Sequence, residues 1–377
     1  MRKKYATLLV LVISLAFFMH VPFPVNATSR TIVVPDDYPT INSAIGNATD
    51  GDTIFIRKGT HEGPVNQTIL IGRPLSIIGE SAESTIINLR PLYNVTWILT
   101  QPFYSYSDAI KIKANDVNLL NLTIAISPGG DISASGHRIQ IIGNNIKTES
   151  STTGLVVSGS YCNITDNFSS GRVMLTGYSN TVKGNAVCGI VLDHGGWTII
   201  GLNTVKYLIF NRTNHNSIHE NIVDNIDSTI SPAVRVSNSS HSIFRGNFID
   251  VGIYGVNLAV WGANNTFYHN SFVGESPVSV SSTAYGSYGN VWDNGAQGNF
   301  WSNYEGADLN WDGIGDSPYV IDANNVDRYP LMEPWSEDAP QRGLEVFQTI
   351  LIVIIIAVLV VVGAVLALYF RRKKASS

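Results

Sequence analysis

The chain has 377 residues, of which 14% are charged and 44% hydrophobic. That apolar content excludes an intrinsically disordered chain, and the scarce charge with abundant Gly, Asn, Ser and Thr suits a sheet-rich solenoid better than a helical bundle. The segment 28–345 carries 17 Lys and Arg against 29 Asp and Glu, a balance of −12; such a surface repels nucleic acid and anionic membranes and leaves cations or neutral sugars as partners.

In chain order, Arg2, Lys3 and Lys4 precede an apolar run over 6–21, which Pro22 and Pro24 break before Val25-Asn26-Ala27. This pattern predicts a secretory signal over 1–27, cut after Ala27, with an uncleaved anchor as the alternative. Thr31-Ile32-Val33-Val34 reads as a first strand. Pro35 to about Asn47 reads as a short amphipathic helix with Ile41, Ala44 and Ile45 on one face. A solenoid needs such a cover, because its open end otherwise shows apolar core and strand edges to water. Asp52-Thr53-Ile54-Phe55-Ile56 and Leu75-Ser76-Ile77-Ile78-Gly79 read as early coils.

A repeat then sets in: an apolar residue, two variable positions, an Asn, one more position and a second apolar residue. The marked Asn falls at 145, 167, 185, 221, 247 and 270, with a weaker copy at 203. A period of about 20 residues is too short for helix-pair repeats, and the regular Leu scaffold of leucine-rich repeats is missing. It fits one turn of a three-sided β-helix, in which the Asn takes the bend and stacked Asn side chains bond along the axis. The expected fold is all-β, a right-handed parallel β-helix over 28–297 with an N-terminal cap helix. A C-terminal cap follows over 298–335 and a juxtamembrane linker over 336–349. Ile350 to Phe370 is 21 residues without a charge, closed by Arg371, Arg372, Lys373 and Lys374. About 20 apolar residues span a hydrocarbon core of roughly 30 Å, and basic residues stay inside. A single-pass cell-membrane protein is therefore expected, with its N-terminal domain extracellular and residues 371–377 cytoplasmic.

The start of the domain, Val34-Pro35-Asp36-Asp37-Tyr38-Pro39-Thr40-Ile41 with Gly51-Asp52-Thr53-Ile54, resembles that of pectin-lyase-like β-helix proteins. The Asn-marked coils are similar to those of the NosD-like group of archaeal and bacterial surface proteins. So is the ending, Gly298-Asn299-Phe300-Trp301-Ser302-Asn303-Tyr304 with Asp312-Gly313-Ile314-Gly315-Asp316-Ser317-Pro318-Tyr319. The resemblance implies a parallel β-helix over nearly all of 31–335. It leaves activity open, because related folds include polysaccharide lyases, hydrolases and epimerases. It also raises an accessory role in maturing a metalloenzyme.

Candidate sites follow from residue type. Asp308, Asn310, Asp312 and Asp316 alternate around Gly313 in an oxygen-rich loop of the kind Ca²⁺ prefers, although Tyr319 stands where an EF-hand wants Glu. An Asx-rich turn without metal is the other reading of that loop. Trp292, Trp301, Tyr304, Trp311, Tyr319, Tyr329 and Trp335 crowd the same region and suit an end plug better than a sugar platform. The acids of the coils, Asp166, Asp193, Asp224, Asp227 and Asp250, fall at different repeat positions. Asp193-His194 is the one suggestive pair, and solvent-facing turns explain the rest. Soft copper sites favour Cys and Met; Met174, Met332, His215 and His219 are a poor supply.

Cys162 and Cys188 are the only cysteines and, outside the cell, are candidates for a disulfide. Glycan acceptor sequences start at Asn47, Asn66, Asn94, Asn121, Asn163, Asn167, Asn211, Asn238 and Asn264. The leading expectation is a membrane-anchored surface protein that binds polysaccharide or another surface component, or serves as an envelope element. A polysaccharide-active enzyme is the main rival.

Overall fold

A computed structural model describes residues 29–98, 101–148, 153–226, 230–252, 256–280 and 289–336. The expected signal, membrane span and cytoplasmic tail lie outside the described residues. Among the described residues, no helix is long and apolar enough to cross a membrane.

From Thr53–Ile56 to Ser276–Val280 the chain winds through three parallel sheets in rotation, interrupted once by the antiparallel hairpin Tyr93–Ile98 and Gln101–Tyr106. Sheet A has 11 strands from Thr31–Val34 to Thr266–Tyr268, and sheet B has 11 from Gly59–Val65 to Phe300–Trp301. Sheet C has 10, from Ile69–Ile71 to Ser276–Val280. Every pairing within these sheets is parallel to the coil before and the coil after, consistent with a right-handed parallel β-helix. Inward positions hold Ile, Val, Leu and Phe in one continuous column, from Ile32 and Ile54 to Phe267 and Phe272. The period of two in each short strand places its apolar residues in that column. Sheet B already reaches Phe300–Trp301, inside the segment expected as cap.

The N-terminal helix covers the open end with Ile41, Ala44 and Ile45 buried, as its periodicity predicts. It begins at Ile41 rather than Pro35. Pro39 disfavours a helical Tyr38, and Thr40 then caps the helix with Ser43 in a reciprocal capping box.

The repeat's Asn is structural, with one shift. The ladder at the A-to-B corner runs through Asn144, Asn167, Asn185, Asn203, Asn221, Asn247, Asn270 and Asn299. Asn144, not Asn145, is the rung, because Gly143 bends left-handed (φ 65°) and the alternation then turns Asn144 inward. Asn203 is a full member. The left-handed residue is also not the Asn itself but the one before it: Asp166, Leu202, Glu220 and His269 hold φ of 55–58°. Each rung donates from both its backbone N–H and its Nδ2 to the Oδ1 of the next rung, as Asn185 does to Asn203 at 2.9 Å twice. The Nδ2 also reaches a carbonyl of the previous coil, Ile164 for Asn185 at 2.8 Å. Asp327 ends the series. Its Oδ2 accepts from the Asn299 N–H, the Asn299 Nδ2 and the Trp301 Nε1, and its Oδ1 from the Tyr329 N–H.

The C-terminal end is closed by aromatics, as expected of Trp292, Trp301, Tyr304 and Tyr319. Phe267 stacks on Trp292, Phe272 on Trp301, and Trp301 on Tyr319 at 4.4–4.6 Å. Asp293, beneath this plug, forms a bidentate pair with Arg328 at 2.6 and 2.8 Å. Trp311 is 90% exposed and takes no part.

One expectation falls, and one glycan acceptor sequence is buried. Cys162 and Cys188 are both free. Cys162 directly precedes a strand of sheet A at the C-to-A corner, and Cys188 precedes a strand of sheet C at the B-to-C corner, so they occupy different corners of the triangle. Asn167 is 3% exposed and bonded on both sides as a ladder rung, so the folded chain cannot present it to a glycosyltransferase. Asn47, Asn66, Asn94, Asn121, Asn238 and Asn264 are exposed, while Asn163 and Asn211 are partly so.

Candidate functional site

The outer face of sheet C gathers the chain's most varied chemistry. Its central outward column is Lys111, Ser133, Val156, Met174, Val191, Ile209, Arg235 and Ala259. Four consecutive apolar side chains, Val156, Met174, Val191 and Ile209, therefore form a half-buried strip, followed by Arg235 at one end and by Ser133 and then Lys111 at the other. The next outward column holds Asp193, Asn211, Ser237 and Trp261. Arg235 lies over the Trp261 ring at 5.7 Å, and its Nε is buried with no hydrogen-bond partner.

One margin is built on Asp193. Its Oδ1 accepts from the Asn211 Nδ2 at 2.9 Å and the Arg212 Nη2 at 3.1 Å, and His194 Nδ1 lies 3.1 Å away. The pair read from the sequence is thus real, but the carboxylate is already engaged by three neighbours.

The other margin was not legible. Asp108, Lys111, Asp131, Arg172 and Tyr207 meet where sheet C strands begin at the B-to-C corner. Lys111 bonds Asp108 at 2.8 Å. Burial, and then the neighbouring Asp108 carboxylate, push the Asp131 carboxyl up to about 6, while Arg172 holds it back. The Tyr207 phenol reaches Arg172 and is raised, chiefly by burial. It reaches by lying across Gly189, its strand neighbour, where a Cβ would stand 2.3 Å from the ring. Only glycine leaves room for that contact. The signal available beforehand was a polar residue one step ahead of the inward Ile132, Val173 and Leu208, visible only once the register is known.

The other predicted residues stay apart. Asp166 sits in the left-handed A-to-B corner. Asp224 and Asp250 do neighbour one another, on sheet B, but each accepts from the backbone two residues on. Asp227 lies outside the described residues. His215 and His219 stand on different elements, His215 at the C-to-A corner and His219 in Ser217–His219. In the Asp-rich loop, Asp308 accepts from the Asp312 and Gly313 N–H groups, Asp312 from that of Ile314, and Asp316 from that of Leu309. As folded, the loop is an Asx-rich turn closed by its own amides. Among the described residues, no three His, Cys, Asp or Glu side chains are grouped to hold a metal.

No protein-family model matches the chain, and no curated protein matches it. Several solved structures do. A mannuronic acid specific polysaccharide family 6 lyase from human gut microbiota is 14% identical, covering 67% of this chain and 83% of its own, with a TM-score of 0.33. A pectin methylesterase in complex with a hexasaccharide is 14% identical over 68% and 90%, TM-score 0.33. A mannuronan C-5 epimerase A-module of Azotobacter vinelandii is 10% identical over 66% and 92%, TM-score 0.30. The likeness is one of fold. The pectin-lyase-like and NosD-like resemblances both rest on the sequence motifs.

Proposed function

We propose that this β-helix binds a polysaccharide chain along the outer face of sheet C, in a protein held at the cell surface by the apolar segment 350–370. The observation that supports it is the strip Val156, Met174, Val191 and Ile209 between Lys111 and Arg235. A half-buried apolar floor with polar walls suits the apolar faces of pyranose rings and the hydroxyls at their edges. Successive coils repeat at about 4.8 Å, a spacing close to that of successive sugars in an extended chain. Binding without cleavage is favoured because Asp193 and Asp108 are each taken up by a cation or amide on the same face.

Asp131 supports a second reading, a polysaccharide-active enzyme. A carboxyl with a pKa of about 6 beside a guanidinium that itself meets a phenol is equipped to exchange a proton near neutral pH. The test is to incubate the full-length chain with neutral and acidic polysaccharides, recording both retention on the polymer and new reducing or unsaturated ends. Retention lost in Ile209→Asp, with no new ends, is the expected result. New ends abolished by Asp131→Asn establish the enzyme instead, and neither retention nor new ends on any polymer refutes both.

A further inference from the structure

At the C-to-A corner one residue per coil is left-handed: Asp116, Arg138, Tyr161, Ser179, Trp197, His215, His241 and Asn264, with φ of 53–61°. Each of the first seven donates its backbone N–H to a carbonyl of the next coil, so they form one column parallel to the axis. The left-handed bend throws the side chains outward, and several stack. Trp197 and His215 lie 4.3 Å apart at 10°, and His215 and His241 5.1 Å apart at 8°. Arg138 closes the other end in a bidentate pair with Asp116 at 2.6 and 2.7 Å.

Within the run from Tyr161 to His241, one rung carries no ring. Between Tyr161, 67% exposed, and Trp197, 60% exposed, stands Ser179. Two coil spacings separate the flanking rungs, about 9.6 Å. A flat aromatic makes carbon contact at about 3.5 Å on each face and spans only about 7 Å, so it would touch one wall. A saturated six-membered ring, with C–H bonds on both faces, is thicker and meets both. The surroundings are hydroxylic and uncharged: Ser179, exposed Tyr178, and Ser160, whose Oγ accepts from the Tyr178 N–H. Arg138, two rungs away, is neutralised by Asp116.

We propose that the rung at Ser179 is a binding slot for a neutral hexopyranose unit, sandwiched between Tyr161 and Trp197. It goes beyond the sheet C face and fails or holds independently of it.

The test is a titration of the full-length chain with maltohexaose, cellohexaose, mannohexaose and chitohexaose, read by tryptophan fluorescence and calorimetry. At least one probe is expected to bind. Trp197→Ala is expected to weaken it by about tenfold, since a stacked ring contributes on the order of 1 kcal/mol. Ser179→Trp fills the slot with a ring already tolerated at the next rung, and is expected to abolish binding without lowering Tm. Ser179→Phe serves if the larger ring disturbs folding. His241→Ala, at the far end of the stack, is expected to leave affinity within about twofold. Unchanged binding in both Ser179 variants overturns the proposal, as does no Trp197-dependent binding of any probe. Tighter binding of adenosine or tryptophanamide than of every sugar also overturns it. Loss of polymer retention in Ile209→Asp with the Trp197 response intact separates this slot from the sheet C face.

Discussion

Removing one rung of the asparagine ladder tests the account of stability most directly. Asn203 is fully buried; its Oδ1 accepts from the N–H and Nδ2 of Asn185, and its Nδ2 donates to the Val182 carbonyl and to Asn221 Oδ1. Asn203→Ala leaves the Asn185 N–H without that acceptor and the Val182 carbonyl without that donor. Each stranded buried group costs about 1–3 kcal/mol, so the total is about 2–6 kcal/mol. For roughly 300 ordered residues at about 2.1 cal/mol/K each, that lowers Tm by about 3–10 °C. Asn203→Asp is the sharper comparison. It keeps the acceptor but sets a second oxygen against the Val182 carbonyl and Asn221 Oδ1, so at pH 7 it is expected to destabilise more than alanine and to recover partly at pH 5. Calorimetric melts of the three proteins at both pH values decide the matter. A shift below about 1.5 °C for alanine, or an aspartate variant as stable as wild type at pH 7, would refute the ladder as a source of stability.

Asp327 gives a second test, by pH. Burial raises its carboxyl to about 6 from an ordinary 3.8, against four N–H donors. The folded state therefore holds a proton that the unfolded state has lost between those values, and this group's stabilisation is greatest below about pH 4 and declines as pH rises to 6. Asp327→Asn is expected to flatten that part of the Tm–pH profile, and parallel profiles from pH 4 to 7 would contradict the assignment. Gly189→Ala is expected to displace Tyr207 from Arg172 at a cost of about 1–3 kcal/mol, and a Tm matching wild type would show that the ring has room. Expression in a glycosylating host, followed by peptide mapping, is expected to find Asn167 unmodified whatever the occupancy of the other acceptors. For the Asp308–Asp316 loop, the Asx-turn geometry predicts a Tm change below about 1 °C on adding Ca²⁺ or EDTA; a rise of several degrees that Asp312→Asn removes would instead establish the ion there.

The sequence carried the fold because the device that makes each coil is local. An inward Asn set between apolar residues writes the same four or five letters at every turn, and the period follows from counting them. Where two Asn are adjacent, at 144 and 145, the letters alone cannot say which turns inward; the left-handed Gly143 settles it. The disulfide expectation failed for a related reason, since coil spacing says that distant residues approach but not which corner each occupies. Asp131, Arg172, Gly189 and Tyr207 were invisible because they come from four coils, and only the register sets them side by side. Asp193 with His194 was visible because it is contiguous, yet its meaning depended on Asn211 and Arg212, one coil further on.

The ladder also has a direction. Every rung hands its backbone proton and one side-chain proton toward the C-terminus, so the last amide needs a neighbour that accepts and passes nothing on, which a carboxylate does and an amide cannot. Asp327 acts as a full stop, fixing where the rod ends and offering no donor to the end of a second rod. Upstream of it, the rungs at 167, 185, 203 and 221 are each 18 residues apart. A gene that gains or loses one such 18-residue unit would change the rod's length by a single coil while leaving both of its closed ends untouched.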